Sequence, residues 1–163
     1  MRLQRKNQLS TATRNNKPQT PTSTMRFDLP AEKKLVHEMV IPIRWGDMDG
    51  MGHVNNTIYF RYFEVIRIAW FDTVGGGPNP NGEGIVIVNA FCNFIKQLEY
   101  PGDVIARMYV ANPGRTSFDT FVTLERTDQP GVVYANGGAT TVWVDFKKQQ
   151  SMPMPDWLRE LLA

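Results

Sequence analysis

The sequence predicts an α+β fold: one long central helix wrapped by a five-stranded antiparallel sheet. Three observations carry that reading. Residues 57–74 have the period and end signals of a helix, yet are apolar almost all round, so more than one neighbour must cover them. A single extended run precedes this helix. Four more follow it, joined by short turns, and should form an antiparallel meander with the helix laid on one face.

Taken in order, residues 1–24 are rich in Ser, Thr, Asn and Gln and show no apolar period. They carry Arg2, Arg5, Lys6, Arg14 and Lys17 without one acid. Such a stretch cannot bury enough surface to order itself. Residues 1–30 are therefore expected to be a disordered basic extension, with Met25 an alternative start, rather than a targeting signal. Residues 31–163 form one domain. Residues 34–44 read as the first strand, with Leu35, Met39, Ile41 and Ile43 on one face and Pro42 marking an edge or an end.

The helix starts behind Asn55 or Asn56, either of which can cap it, and stops at Gly75-Gly76-Gly77-Pro78. Ile58, Tyr59, Tyr62, Val65, Ile66, Ala69, Trp70 and Val74 cover about half its circumference. Phe60, Ile68 and Phe71 break the polar arc of Arg61, Glu64, Arg67 and Asp72. Residues 84–98 begin as an apolar strand of the kind covered on both faces. Residues 104–112, 116–126 and 132–146 complete the sheet, divided by the turns Tyr100-Pro101-Gly102-Asp103 and Asp128-Gln129-Pro130-Gly131. Gly137-Gly138 in mid-strand implies a bulge or a close backbone approach. Residues 153–162 read as a short amphipathic helix.

A chain of 163 residues has room for one substantial core. Its one cysteine, Cys92, has no internal disulfide partner and suits a reducing, cytoplasmic setting. No apolar run reaches the ~20 residues a membrane span needs. Of 18 basic residues five lie in 1–24, leaving 13 against 16 acids, so the body is mildly acidic and offers no nucleic-acid footprint.

The chemistry concentrates between the first strand and the helix. Asp47-x-Asp49 begins like a calcium loop, but Met51 and Ile58 stand where oxygen ligands are required. Gly50-x-Gly52 lacks the third glycine of a dinucleotide site, and His37, His53 and Cys92 fit no zinc spacing. There is no Gly-x-Ser-x-Gly elbow. Cys92 shares a strand face with Val88, Ala90 and Phe94 and reads as a buried thiol. What remains is a pair of carboxylates beside a helix N-terminus. Free N–H groups there stabilise an oxyanion, and a nearby carboxylate can attack a polarised carbonyl or deprotonate water. On the residues alone, bracing of the turn by both acids is the simpler reading.

The run from Asp47 to Glu64, DMDGMGHVNNTIYFRYFE, resembles the signature of hotdog-fold thioesterases of the 4-hydroxybenzoyl-CoA thioesterase type. It is also similar to the broader acyl-CoA thioesterases of that superfamily, and the likeness covers about residues 33–160. The resemblance implies a hotdog fold that hydrolyses acyl-CoA to free acid and CoA. It implies no metal, no cofactor beyond the CoA of the substrate, and a homo-oligomer, either a dimer or a dimer of dimers (a homotetramer). It makes Asp49 the catalytic carboxylate, as nucleophile or general base, and Asp47 structural. Backbone amides around Asn55 and Asn56 would polarise the thioester carbonyl. His53 takes part in the site or braces the loop; Tyr59 and Tyr62 line the acyl pocket or the core.

The His53-Val54-Asn55-Asn56 form differs from the 4-hydroxybenzoyl enzyme's own loop, is closer to general acyl-CoA members, and is similar to acyl-carrier-protein thioesterases. CoA phosphates call for cations and hydroxyls. Arg115, Thr116 and Ser117 are the best cluster, Lys147 and Lys148 the second, and either turn can also be merely solvated. The rival functions are an acyl-carrier-protein thioesterase, a hotdog dehydratase, whose signature fits poorly, and a non-catalytic acyl-CoA-binding hotdog protein.

Overall fold

A computed structural model of the chain describes residues 27–76, 79 and 82–163. Of the extension expected over residues 1–30, residues 1–26 lie outside those described, as does the Gly77-Pro78 end of the helix stop, while Phe27 is seen against Phe91 and Asn93. The elements run β1 (Lys34–Pro42), a 3-10 turn (Trp45–Asp47), α1 (Asn56–Thr73), β2 (Glu83–Phe94), β3 (Asp103–Ala111), β4 (Ser117–Arg126), β5 (Val133–Asp145), β6 (Gln150–Ser151) and α2 (Asp156–Leu162). Five long strands wrap α1, the expected α+β hotdog architecture, and the two-residue β6 pairs with the end of β5. Among the described residues no helix is long and apolar enough to cross a membrane.

The strand order is β1-β3-β4-β5-β2, so the expected meander holds only for β3, β4 and β5. β2 pairs with β5 rather than β3. The cause lies just past Phe94, where the Ile95 and Lys96 amides both turn to the Tyr134 carbonyl at 2.9 Å and end the strand four residues early. Residues 95–102 then cross the start of α1, where Leu98 O accepts from Val54 N at 2.8 Å, before entering β3 near the other edge. β1 and β2 are therefore both edges. Ile87, Val88 and Phe94, expected under cover, are exposed for that reason.

The face of β1 also departs from expectation at one place. Ile41 and Ile43 are buried and Met39 packs on the core, but Leu35 is exposed and Val36 takes its place inside. A bulge between Leu35 and His37 explains this: one extra residue reverses the alternation beyond it.

Asn55 is the helix cap, its side chain accepting from Thr57 N at 3.0 Å. The buried stripe of α1 is Tyr59, Tyr62, Phe63, Ile66, Arg67, Trp70 and Phe71. Val65 falls outside that stripe and is exposed. Phe71, placed by the wheel among polar residues, is buried because Trp70 and Phe118 close around it. Beneath the helix lie Val104, Ala106, Met108 and Val110 of β3 with Phe118, Val122 and Leu124 of β4. Gly137 and Gly138 mark a close approach, with the register unbroken around them. A Cβ on Gly137 would strike the Phe91 carbonyl and the Phe63 ring, and one on Gly138 the Phe121 ring.

Candidate active site

The loop between β1 and α1 is held almost wholly by its own carboxylates and amides. Ile43 N donates to Gly102 O at 2.9 Å, which fastens the end of β1 to the start of β3. Asp47 then clamps the loop to the helix. Its Oδ2 accepts from Arg44 N and from the Tyr62 hydroxyl, both at 2.8 Å, while its carbonyl accepts from Asn55 N at 2.9 Å. Burial, together with the Asp47 carboxylate beside it, pushes the Tyr62 hydroxyl far above the usual phenol range. Tyr62 is thus a core residue that braces Asp47.

Asp49 is held on one side only. Its Oδ1 accepts from Met51 N at 2.8 Å and His53 N at 3.3 Å. Its backbone pairs with His53 O at 2.7 Å and with Gly52 N at 3.1 Å. Gly52 turns the chain with φ +82, a conformation glycine adopts without strain. Asp49 Oδ2 takes no hydrogen bond among the described residues, which leaves one carboxylate oxygen free for chemistry.

That carboxylate lines a cavity of about 640 Å³ together with His53, Val54, Asn56 and Tyr59. The opposite wall is Phe94, Ile95, Lys96 and Gln97. Of the two expected oxyanion donors, the structure leaves one open. The Asn55 amide is taken by Asp47 O, and its side-chain oxygen by Thr57 N and Oγ1. The Asn56 amide, first in the helix, has no partner among the described residues. Asn56, with a free N–H at the positive end of a helix, and Asp49, with a free carboxylate oxygen, line one cavity, and such a pair can polarise a carbonyl while the carboxylate attacks it or activates water.

His53 lines the same cavity, its Nε2 3.7 Å from Glu99 Oε1, while its backbone braces Asp49. Tyr59 sits deeper, edge-on to Phe94 with ring centroids 5.0 Å apart. Its hydroxyl accepts from Leu98 N at 3.2 Å, and burial pushes its pKa up. Arg126 steadies the far wall by donating to the carbonyls of Glu99 (2.8 Å) and Pro101 (3.2 Å).

Arg115, Thr116 and Ser117 are not brought to this cavity within one chain. They sit where β4 begins, whereas Asp49 sits beside the start of β3. A nine-residue strand separates the two ends by about 27 Å. The Arg115 carbonyl instead anchors the approach to α2 through Met154 N at 3.0 Å. Lys147 and Lys148 turn around Asp145, which accepts from both their amides at 3.0 Å, at that same far end. Sequence reasoning missed the Phe94–Gln97 wall, having run β2 on to Leu98. The change from apolar to polar residues after Ile95 was the available signal. Cys92 is partly buried, and that burial pushes its thiol up to about 12, well away from reactive thiolates. Among the described residues no three His, Cys, Asp or Glu side chains gather as metal ligands.

The fold and the loop both have known counterparts. The family model of the thioesterase-like superfamily matches residues 43–162. The chain is 37% identical to a candidate thioesterase of Pseudomonas aeruginosa, with a TM-score of 0.74 over 80% of this chain and 100% of that one. A candidate acyl-CoA thioesterase of Xanthomonas campestris is 29% identical, with a TM-score of 0.67 over 74% of this chain and 100% of that one. The chloroplastic acyl-acyl carrier protein thioesterase ATL3 of Arabidopsis thaliana is 30% identical over 129 residues, 74% of this chain. The chain spans only 66% of that relative's length. With the family model covering everything from the end of β1 to α2, the chain belongs to the thioesterase-like superfamily.

Proposed function

We propose that this protein hydrolyses acyl-CoA thioesters to the free acid and CoA, with Asp49 as the catalytic carboxylate. The observation that carries the proposal is that Asp49, with its Oδ2 free, and Asn56, with its amide free, line one cavity. The amide takes the negative charge that develops on the thioester oxygen. Asp49 either takes a proton from the attacking water, or attacks the carbonyl itself to form an anhydride that water then opens. In both routes the C–S bond breaks, and the CoA thiolate leaves and takes up a proton. Label found in Asp49 after a single turnover in heavy-oxygen water identifies the anhydride route, with water opening the anhydride at the Asp49 carbonyl.

Lys96 is the cation on the cavity wall and the nearest partner for a phosphate of CoA. Arg115, Thr116 and Ser117 serve that purpose only if a second copy carries them to the cavity. A homo-oligomer, dimer or dimer of dimers, is supported by the exposed Phe60, Val65 and Ile68 on α1 beside Ile87 and Val88 on the open edge of β2. Light scattering that finds a monomer at micromolar concentration would remove this part. A cytoplasmic setting rests on the single unpaired cysteine.

The test is a panel of acyl-CoAs from acetyl to palmitoyl, with benzoyl types, read by released thiol. Turnover of at least one is expected; none at high enzyme concentration overturns the reading and favours an acyl-CoA-binding role. The Arabidopsis relative favours a second substrate carrier, acyl carrier protein. The same acyl group presented on both carriers decides between them, and a preference above about tenfold for the carrier protein would replace CoA in the assignment.

A further inference from the structure

Two rings meet at the inner end of the Asp49 cavity. Tyr59 lines it from the first turn of α1, and Phe94 from the last residue of β2. They touch edge-on, with ring centroids 5.0 Å apart and planes at 86°, which leaves no gap between them for a chain of methylenes. Phe94 is 47% exposed and Tyr59 only 3%, so the tyrosine is the inner of the two. Behind it the core is full: Leu98 and Ile66 are wholly buried, and the Phe63 ring lies against Gly137. Tyr59 is also fixed in place. Its hydroxyl accepts from Leu98 N at 3.2 Å, and the carbonyl of that same leucine accepts from Val54 N at 2.8 Å, just ahead of the helix. Helical side chains lean toward the N-terminus, so the ring stands beside the first turn rather than swinging away from it.

Phe94 is set by the register of β2 on β5, where it stands opposite Ala135. Two positions back on the same face come Cys92 and, opposite it, Gly137, both small. The step from Asn56 to Tyr59 covers about 4.5 Å of helix, the length of an extended chain of about four carbons. We propose that Tyr59 and Phe94 form the floor of the acyl site and restrict the protein to short acyl groups, with the optimum near butanoyl. The inference rests on the thioester hydrolase reading and names the acyl group within it. The thioester carbonyl sits at the Asn56 amide, the short chain lies against Val54 and Ile95, and its end meets the two rings. The remaining room lies toward the exposed Lys96 and Gln97, on the side where CoA enters. A longer chain must turn back to that mouth, where its added methylenes stay in water and gain nothing.

The experiment runs a chain-length series of acyl-CoAs, acetyl to palmitoyl, on the full chain and reads released thiol. The matching S-alkyl-CoA thioethers, which cannot be hydrolysed, are titrated by calorimetry. In the wild type kcat/KM should rise about fourfold per methylene as far as butanoyl and then stop rising. Phe94→Ala opens the floor toward Cys92 and Gly137, so the rise should run on and lift the octanoyl-to-butanoyl ratio by about tenfold or more. Phe94→Trp fills the same end and should move the break back toward acetyl. Thermal melts check both variants, and a ratio between two substrates does not depend on how much protein is folded. A wild-type kcat/KM that keeps rising through octanoyl overturns the inference and leaves the hydrolase reading intact. An unchanged ratio in Phe94→Ala overturns it as well. Turnover of no acyl-CoA, with thioether affinity still breaking at butyl, keeps the floor and overturns the hydrolase reading instead.

Discussion

The two ends of α1 are built from opposite materials. Its C-terminal end is an aromatic cluster: Trp70, Phe71 and Phe118 meet with ring centroids 4.7 to 6.4 Å apart, and Trp143 meets Trp157 of α2 at 6.0 Å. Leu158 of α2 closes that end from solvent. The N-terminal end has a polar loop, a cavity, a free amide and a half-engaged carboxylate. Burial holds the first; hydrogen bonds between a loop and its own acids hold the second. One helix therefore fixes itself at one end and leaves unsatisfied groups at the other, where a substrate can complete them.

The sharpest way to break this division is to attack the apolar end. Phe118→Ala removes a fully buried ring between Trp70 and Phe71 and should cost about 3–5 kcal/mol of stability, read by denaturant unfolding. Turnover per folded molecule should survive. If catalysis falls with stability intact, the two ends are coupled in a way the contacts do not show.

The complementary change belongs to the polar end. Asp49→Asn keeps an oxygen for the Met51 and His53 amides but removes the charge that base or nucleophile chemistry requires. A fall in kcat of about a hundredfold or more, near 3 kcal/mol of transition-state stabilisation, should come with an almost unchanged melting temperature. Asp47→Ala should do the reverse. It strips an acceptor from Arg44 N and the Tyr62 hydroxyl and should cost about 1–3 kcal/mol of stability, with a smaller loss of rate. Should Asp47→Ala abolish turnover while Asp49→Asn does not, the roles of the two acids are exchanged.

Sequence and structure agree where one local pattern decides the outcome. The caps, turns and alternation that mark α1, β3, β4 and β5 are properties of short segments, and each element begins and ends within a residue or two of its reading. What escaped needed a partner from elsewhere in the chain. The Tyr134 carbonyl stops β2 at Phe94, and residues 95–97 then become a cavity wall that only the change from apolar to polar residues after Ile95 announces. A bulge at Val36 turns Leu35 out to solvent, and nothing between Lys34 and Pro42 declares it. Within the loop the two acids look alike in sequence. They differ in the structure because Tyr62, fifteen residues on, reaches back to one of them and not the other.

The smallest expected effect checks that neither end of α1 depends on the chain before Phe27. Phe27 lies on the outer face of the sheet, its ring 5.1 Å from Phe91 and its carbonyl accepting from Asn93 Nδ2 at 2.8 Å. Phe91 and its neighbour Phe121 turn away from the helix, so this contact is separated from the Asp49 cavity by the sheet itself. Removing residues 1–24 leaves Phe27 in place and should change stability by less than about 0.5 kcal/mol and turnover not at all. Removing residues 1–30 takes the ring and its hydrogen bond away. Phe27 is 61% exposed, so that cut should cost only about 1 kcal/mol and lower the melting temperature by a few degrees, again with kcat/KM unchanged. Thermal melts and thiol-release assays on both truncations give the answer. A loss of turnover from the shorter cut would mean that the basic segment reaches the cavity, and the domain would then begin well before residue 31.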